Sequence, residues 1–357
     1  MKLNEKLIKL LPKTDLHVHL DGSVRLDTIF DLAKQQDVKL PADNEEDLQK
    51  IVCCGETCRS LEEYLKAFDV TLSVMQTEEA LERVAYELAE DAAEENIRYM
   101  EVRYSPILHI NKGLRLSQIC DAVIRGLNRA QREFNIITNV IVCGIRNMDP
   151  ATSVRLANLA IAYKNRGVIG FDLAGAEYNN PAKEHKDAFY LALNNNLNVT
   201  VHAGEAYGPK SIHEALHYCS AHRIGHGTRL AEDGDLLNYV NDHRIPLEIC
   251  LKSNLHTKSV NSLKEHPFLF YIDYGLRITL NTDNRLVSHT TLTEEYMLAI
   301  ENFELSYSDI KNIIINGFKS AFLPYREKVR LLNTALDEMT EIEKDEMNEK
   351  IKMKDNI

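Results

Sequence analysis

Positive charge is in short supply. Lys and Arg number 42 against 54 Asp and Glu, a formal net charge of −12. Nucleic-acid binding needs a basic footprint, and docking on anionic lipid needs the same sign. The balance therefore argues against both and leaves small polar or cationic ligands open. No apolar run approaches the roughly 20 residues of a membrane span. The opening eleven residues, which include Lys2, Lys6 and Lys9, are too short and too charged for a secretory signal, so a cytoplasmic protein is expected. Cysteine is sparse and odd in number, seven in 357 residues, which speaks against a disulfide framework. Cys53, Cys54 and Cys58 cluster, but no second Cys or His pair follows at zinc-finger spacing.

What is present is ordinary in composition and regular in arrangement. Hydrophobic residues make up 44% and charged residues 27%, as in soluble globular proteins. The length is within reach of one α/β barrel. Short apolar runs of strand length occur around His17 and over 99–104, 139–145, 168–173, 198–202, 223–226, 246–250 and 277–281. Segments of helical period separate most of them, at 26–36, 77–95, 116–134, 153–165, 183–194, 211–219 and 235–242. A helix beginning at Leu61 carries Ser60 as N-cap and Glu63 three residues on, the pattern of a capping box. Helices fill the chain after Thr293, broken near Pro324. Alternation of this kind predicts parallel strands with right-handed crossovers, and eight such units close into a (β/α)8 TIM barrel. The expected organisation is a single domain over 1–357, with extra helices after the first strand and at the C-terminus. Its charged tail, 337–357, is expected to be a solvated helix that frays.

In such a barrel the chemistry sits where the strands end. His17 and His19 are two apart in the first strand, so their imidazoles emerge on one face while Leu16, Val18 and Leu20 take the other. Taken alone, this pair is either half of a metal shell or two hydrogen-bonded core histidines. His202 ends the fifth strand, His226 the sixth and Asp283 the eighth. Nitrogen and oxygen donors gathered on one rim point to a metal-dependent hydrolytic site.

These residues stand in a series of short motifs. They are the stretch 14–22, Gly170-Phe171-Asp172-Leu173-Ala174-Gly175, His202-Ala203-Gly204-Glu205, Gly225-His226-Gly227 and Asn281-Thr282-Asp283. In order and spacing this series resembles the adenosine deaminase family of metal-dependent hydrolases, over roughly 10–340. The resemblance implies one Zn2+ held by His17, His19, His202 and Asp283, with His19 also facing the substrate. It implies Glu205 as the acid that protonates purine N1, and His226 as the group that orients or deprotonates the attacking water. Gly175 would meet the purine edge through its backbone, and Asp21 the ribose end. The implied reaction is deamination of adenosine and 2′-deoxyadenosine to inosine and ammonia, with a purine nucleoside and water as the partners and a monomer or weak homo-oligomer as the assembly. Residues 61–74 would cap the purine pocket through Leu61, Tyr64, Leu65 and Phe68.

One position departs from the pattern. Many members carry Asp-Asp where this chain has Asp283-Asn284. The second residue of that pair is expected at purine N7, where an asparagine amide can still donate. The change keeps other 6-aminopurines in play: adenine, AMP, methylated AMP or aminodeoxyfutalosine. Lys252 and Arg285 are the cations near enough to the strand ends to matter for a phosphate.

Two other zinc patterns are weaker. His213-Glu214-Ala215-Leu216-His217 matches the helical His-Glu-x-x-His of metalloproteases. It falls in the helix after the fifth strand, on the outer ring, and would leave the strand-end residues unexplained. The Pro-Cys-x-x-Cys of an unrelated class of zinc deaminases is absent.

Overall fold

Every apolar run is a strand, and the strands pair in parallel in the order in which they occur in the chain. They are β1 (Lys13–His19), β2 (Ile97–Tyr104), β3 (Ile137–Ile145), β4 (Val168–Ala174), β5 (Asn198–Ala203), β6 (Arg223–His226), β7 (Leu247–Ile249) and β8 (Ile278–Leu280). A computed structural model describes residues 3–53, 55 and 58–355, with side chains as far as Asn348. Helices between the strands cover the sheet from outside, as crossover connections of parallel strands must. The main core runs from β-strand side chains such as Leu16, Val102, Phe171 and Val201 to helix faces such as Leu81, Leu88 and Leu156. This is the (β/α)8 barrel expected from the sequence.

The ring closes differently from the way it grows. Seven neighbouring pairs form ladders, but β8 meets β1 through one isolated bridge, Val18 to Asp283. There the His19 N–H donates to the Asp283 carbonyl at 2.7 Å and the Asp283 N–H to the His17 carbonyl at 2.8 Å. Side chains complete the seam: Leu16 N–H donates to Asn281 Oδ1 at 2.9 Å, and the Thr282 hydroxyl to Asp15 Oδ2 at 2.6 Å.

Some local expectations are corrected. The helix expected from Leu61 onward is two short helices, Leu61–Leu65 and Phe68–Val74. Ser60 does cap the first, accepting from Glu63 N–H at 3.2 Å, but Glu63 returns its carboxylate to Arg59 N–H rather than to Ser60. Helices Glu45–Val52 and Leu251–His256 add to those read from periodicity. The terminal helix Tyr325–Asp355 is long, and part of the expected solvated tail docks: Met339 is buried and Glu343 pairs with Lys311 at 2.7 Å. Of the cysteine cluster, Cys54 lies outside the described residues, Cys53 is free and Cys58 is disulfide-bonded. Among the described residues no helix is long and apolar enough to cross a membrane.

Candidate active site

Strand ends deliver the side chains. His17 and His19 leave β1 on the same face, and their rings, with those of His202 and His226, pack at centroid distances of 4.5–5.5 Å. His226 and Asp283 both have left-handed backbone, with φ of +62° and +58°. Non-glycine residues adopt that conformation at a cost and concentrate at functional sites. Asp283 Oδ1 stands 3.4 Å from Nε2 of both His17 and His19, and His19 Nε2 lies 3.1 Å from His202 Nε2. Ligand atoms of His17, His202, His226 and Asp283 all fall within 4.8 Å of one another. The structure thus gathers the four expected ligands and His226 at the strand ends, but the group whose donor atoms lie within 4.8 Å of one another includes His226 and not His19, which reaches it through Asp283 and His202.

A metal fits that point. His17 Nε2 is buried with no hydrogen-bond partner, which is costly for a polar atom unless something else binds it. Its other nitrogen, Nδ1, donates to Glu248 Oε2 at 2.8 Å, and His202 Nδ1 donates to Asp172 Oδ2 at 3.0 Å. Both rings therefore turn a lone pair inward and are held there by a carboxylate, as metal-binding imidazoles are. Burial pushes His19 and His226 well below the usual imidazole range and lowers His202, keeping these rings neutral and fit to coordinate. Asp283 is held below the usual carboxylate range despite its burial, by the histidines around it, His17 foremost and then His19 and His226. Three or four imidazoles with one carboxylate suit zinc or a similar divalent ion.

Beneath this layer lies a buried ion network that sequence reasoning missed. Arg103 donates to Asp172 Oδ2 at 2.9 Å and to Glu248 Oε2 at 2.8 Å. Arg223 donates to Glu248 Oε1 at 2.6 Å and also pairs with Glu101. Each carboxylate that orients a histidine is thus itself anchored by guanidinium. The signal was present as charged residues inside apolar strands, Glu101, Arg103, Arg223 and Glu248, which are tolerated in a core only when paired.

Glu205 stands apart from the ligands. Its Oε2 is 3.6 Å from His226 Nε2. Burial pushes its carboxyl well above the usual range, and the charges of Asp283 and Glu177 push it further. The turn that carries it is built on Glu177, another residue missed from sequence. The Glu177 carboxylate accepts from the N–H groups of Gly204, Glu205, Ala206 and Tyr207, at 2.7, 3.1, 2.5 and 2.8 Å, and from the Ser211 hydroxyl.

These groups open into a cavity of about 290 Å³. Asp21, Gly175, Asn147 and Asn284 line its polar side, and Leu61, Tyr64, Leu65, Phe68 and Leu72 form an apolar wall. The two short helices thus take the position expected of a cap. Leu61, Tyr64, Leu65 and Phe68 pack with Val287 in a small cluster of their own, while Val70 and Val74 of the second helix join the main core. Asp21 Oδ1 and Asn284 Oδ1 are buried without hydrogen-bond partners, and burial pushes the Asp21 carboxyl up to about 7. Gly22 makes room for Asn284: a Cβ on Gly22 would lie 1.8 Å from Asn284 Oδ1. Gly175 has φ of +96°, a conformation that favours glycine.

Among the described residues, no lysine or arginine lines the cavity. Arg285 is spent on Glu95, and the Lys252 ammonium donates to the His289 carbonyl. The His-Glu-x-x-His pair lies in the outer helix Pro209–His217, where Glu214 is buried and pairs with Lys183. It has no part in the site.

Comparison with known proteins agrees with this geometry. The adenosine deaminase family model matches residues 12–338. Adenosine deaminase of Clostridium kluyveri is 40% identical over 343 residues, covering 96% of this chain and 98% of that protein. A probable adenosine deaminase of Dictyostelium discoideum is 41% identical over 325 residues, 91% of this chain, but the match spans only 42% of that longer protein. Among solved structures, the N6-mAMP deaminase of Arabidopsis superposes with a TM-score of 0.84 at 29% identity, covering 93% of this chain and 99% of that one. A barrel whose strand ends gather histidines, an aspartate and a buried glutamic acid, matched by these relatives over nearly its whole length, belongs to the adenosine deaminase family of hydrolases.

Proposed function

We propose that this enzyme removes the 6-amino group of adenosine and 2′-deoxyadenosine, releasing inosine or 2′-deoxyinosine and ammonia, with Zn2+ on His17, His19, His202 and Asp283. The metal would supply the Lewis acidity that makes water nucleophilic at neutral pH. Glu205 enters protonated, because its burial beside Asp283 and Glu177 disfavours the anion. It donates that proton to purine N1, drawing electrons from C6. Asp283 accepts a hydrogen bond from the attacking water, and His226 fixes the water's direction. Water adds at C6 as one of its protons passes to Asp283; the 6-amino group takes that proton and leaves as ammonia, and the proton of the C6 hydroxyl returns to Glu205 as the carbonyl forms. The Gly175 backbone meets the purine edge, Asn284 donates to N7, and Asp21 takes the ribose hydroxyls.

The observation that carries the choice of a nucleoside is the cavity wall. It presents Asp21 and Asp69 and, among the described residues, no cation, so a 5′-phosphate would meet negative charge and no partner. That sets this pocket against an AMP or methyl-AMP reading. The test is ammonia release from adenosine, 2′-deoxyadenosine, adenine, AMP and aminodeoxyfutalosine in parallel. Turnover of the first two in clear excess over the rest is expected; a preference for AMP would overturn the substrate assignment. Glu205→Gln should lower kcat by about 10²- to 10⁴-fold, and full activity in that variant would remove Glu205 as the acid.

A further inference from the structure

The ring of His226 ends a chain of hydrogen bonds whose polarity is set at its far end. Phe268 donates its backbone N–H to His266 Nδ1 at 3.1 Å. An N–H can only donate, so Nδ1 is bare and the proton of His266 sits on Nε2. That nitrogen lies 3.2 Å from Asn254 Oδ1, which accepts it. The amide is thereby fixed, since turning it over would set its NH2 against the His266 N–H. Asn254 Nδ2 then donates to His226 Nδ1 at 3.1 Å. With Nδ1 occupied as an acceptor, the His226 proton is on Nε2, the atom that faces Glu205. Asn254, His266 and Phe268 are buried, so water does not compete for these bonds.

We propose that Asn254 and His266 are positioning residues that lock His226 in the Nε2–H tautomer, presenting it to the reacting atoms as a hydrogen-bond donor. Two consequences follow. His226 orients the attacking water and does not deprotonate it. His226 also stays out of the metal shell although its ring lies within reach of it, because coordination through Nε2 would drive the proton to Nδ1, against the Asn254 amide. His17 and His202 differ on this point: a carboxylate takes the Nδ1 proton of each, which frees Nε2. An amide behind His226 and carboxylates behind His17 and His202 thus separate the donor from these two ligands.

The inference rests on the deaminase reading for the step that His226 serves, but the tautomer can be read without turnover. The as-purified protein, labelled with nitrogen-15 histidine, is examined by two-bond nitrogen–proton correlation, and His226 is assigned by the signals lost in His226→Gln. The expected wild-type pattern is a bare Nδ1 and a protonated Nε2. In Asn254→Asp the carboxylate accepts from both rings, so the His226 pattern should reverse. There kcat for adenosine should fall about 10- to 100-fold with KM little changed. A wild-type His226 protonated at Nδ1, or bare at Nε2, would overturn the proposal whatever the activity. The expected tautomer in a protein inert toward adenosine would uphold it and count against the substrate instead. Should Asn254→Asp fail to fold, the wild-type spectrum decides alone.

Discussion

Glu177 holds Glu205 through the main chain: its carboxylate takes four successive N–H groups of the turn in which Glu205 sits, and its charge helps keep the Glu205 carboxyl protonated. One residue thus shapes the position and the protonation of the Glu205 carboxyl together. Glutamine at 177 keeps one acceptor oxygen and loses the charge. Hydrogen bonds to a charged group contribute about 1.5–3 kcal/mol each, so Glu177→Gln should lose roughly that amount in urea unfolding. Its kcat/KM for adenosine should also fall off at lower pH than in the wild type, because Glu205 would ionise earlier as pH rises. An unchanged alkaline limb would separate the two carboxylates.

Gly22 and Asn284 form a second coupled pair. Since a Cβ at position 22 would overlap Asn284 Oδ1, Gly22→Ala should push the amide out of the pocket. It should reproduce the kinetic defect of Asn284→Ala, a loss of about 1–3 kcal/mol in transition-state stabilisation, seen as a lower kcat/KM for adenosine. The double variant should be little worse than either single one. Additive losses in that cycle would show that the two residues act independently.

The stability of the fold should carry a pH signature from outside the site. Glu295 is fully buried, and burial raises its carboxyl to about 8 despite hydrogen bonds from Thr290 and the backbone of Lys252 and Leu251. Its folded value lies above its unfolded one. Its contribution is therefore intact below about 4.5 and is lost as pH rises toward 8, at about 1.4 kcal/mol per pH unit. Glutamine can occupy the position uncharged, its oxygen accepting from Leu251 N–H and its amide donating to Thr290. Denaturant unfolding at several pH values should show Glu295→Gln gaining on the wild type as pH increases across that window. Parallel curves would exclude Glu295 as the source.

Chelation offers a direct reading of the metal centre. A ligand bound only by the folded state stabilises it by about 2.7 kcal/mol at 100 times its Kd. Dialysis against a chelator should therefore lower Tm and abolish ammonia release, and added Zn2+ should restore both. His213→Ala combined with His217→Ala should change neither the metal content nor the activity, because that pair lies on the outer ring. Loss of one equivalent of metal from the double variant would reinstate it as a site.

What could be read in the sequence was whatever repeats or ends a repeat. Eight apolar runs announced the barrel, and residues such as His202, His226 and Asp283 were conspicuous because each closes a run. Glu177 was not, since it lies in an irregular loop and acts on backbone groups that carry no residue signature. Arg103 and Glu248 are in plain view within strands, but a charge in a strand does not say which partner neutralises it across the barrel. Asn254 sits in a short helix that periodicity passed over, and its role depends on a bond made from Phe268 two residues beyond His266. The break between Leu65 and Phe68 was hidden because apolar spacing continues through it, whereas the cap position of Ser60 was legible from its own side chain.

The seam between β8 and β1 gives the chain an order of completion. Asp283 exchanges backbone hydrogen bonds with the very residues, His17 and His19, beside which its carboxylate stands. Within this barrel β1 therefore waits for β8 before their side chains stand together. A growing chain carries His17 and His19 for most of its synthesis without the aspartate that stands beside them. With the proposed ion on these residues, its capture and the closure of the ring would be one event, the ion clasping the two edges of the sheet.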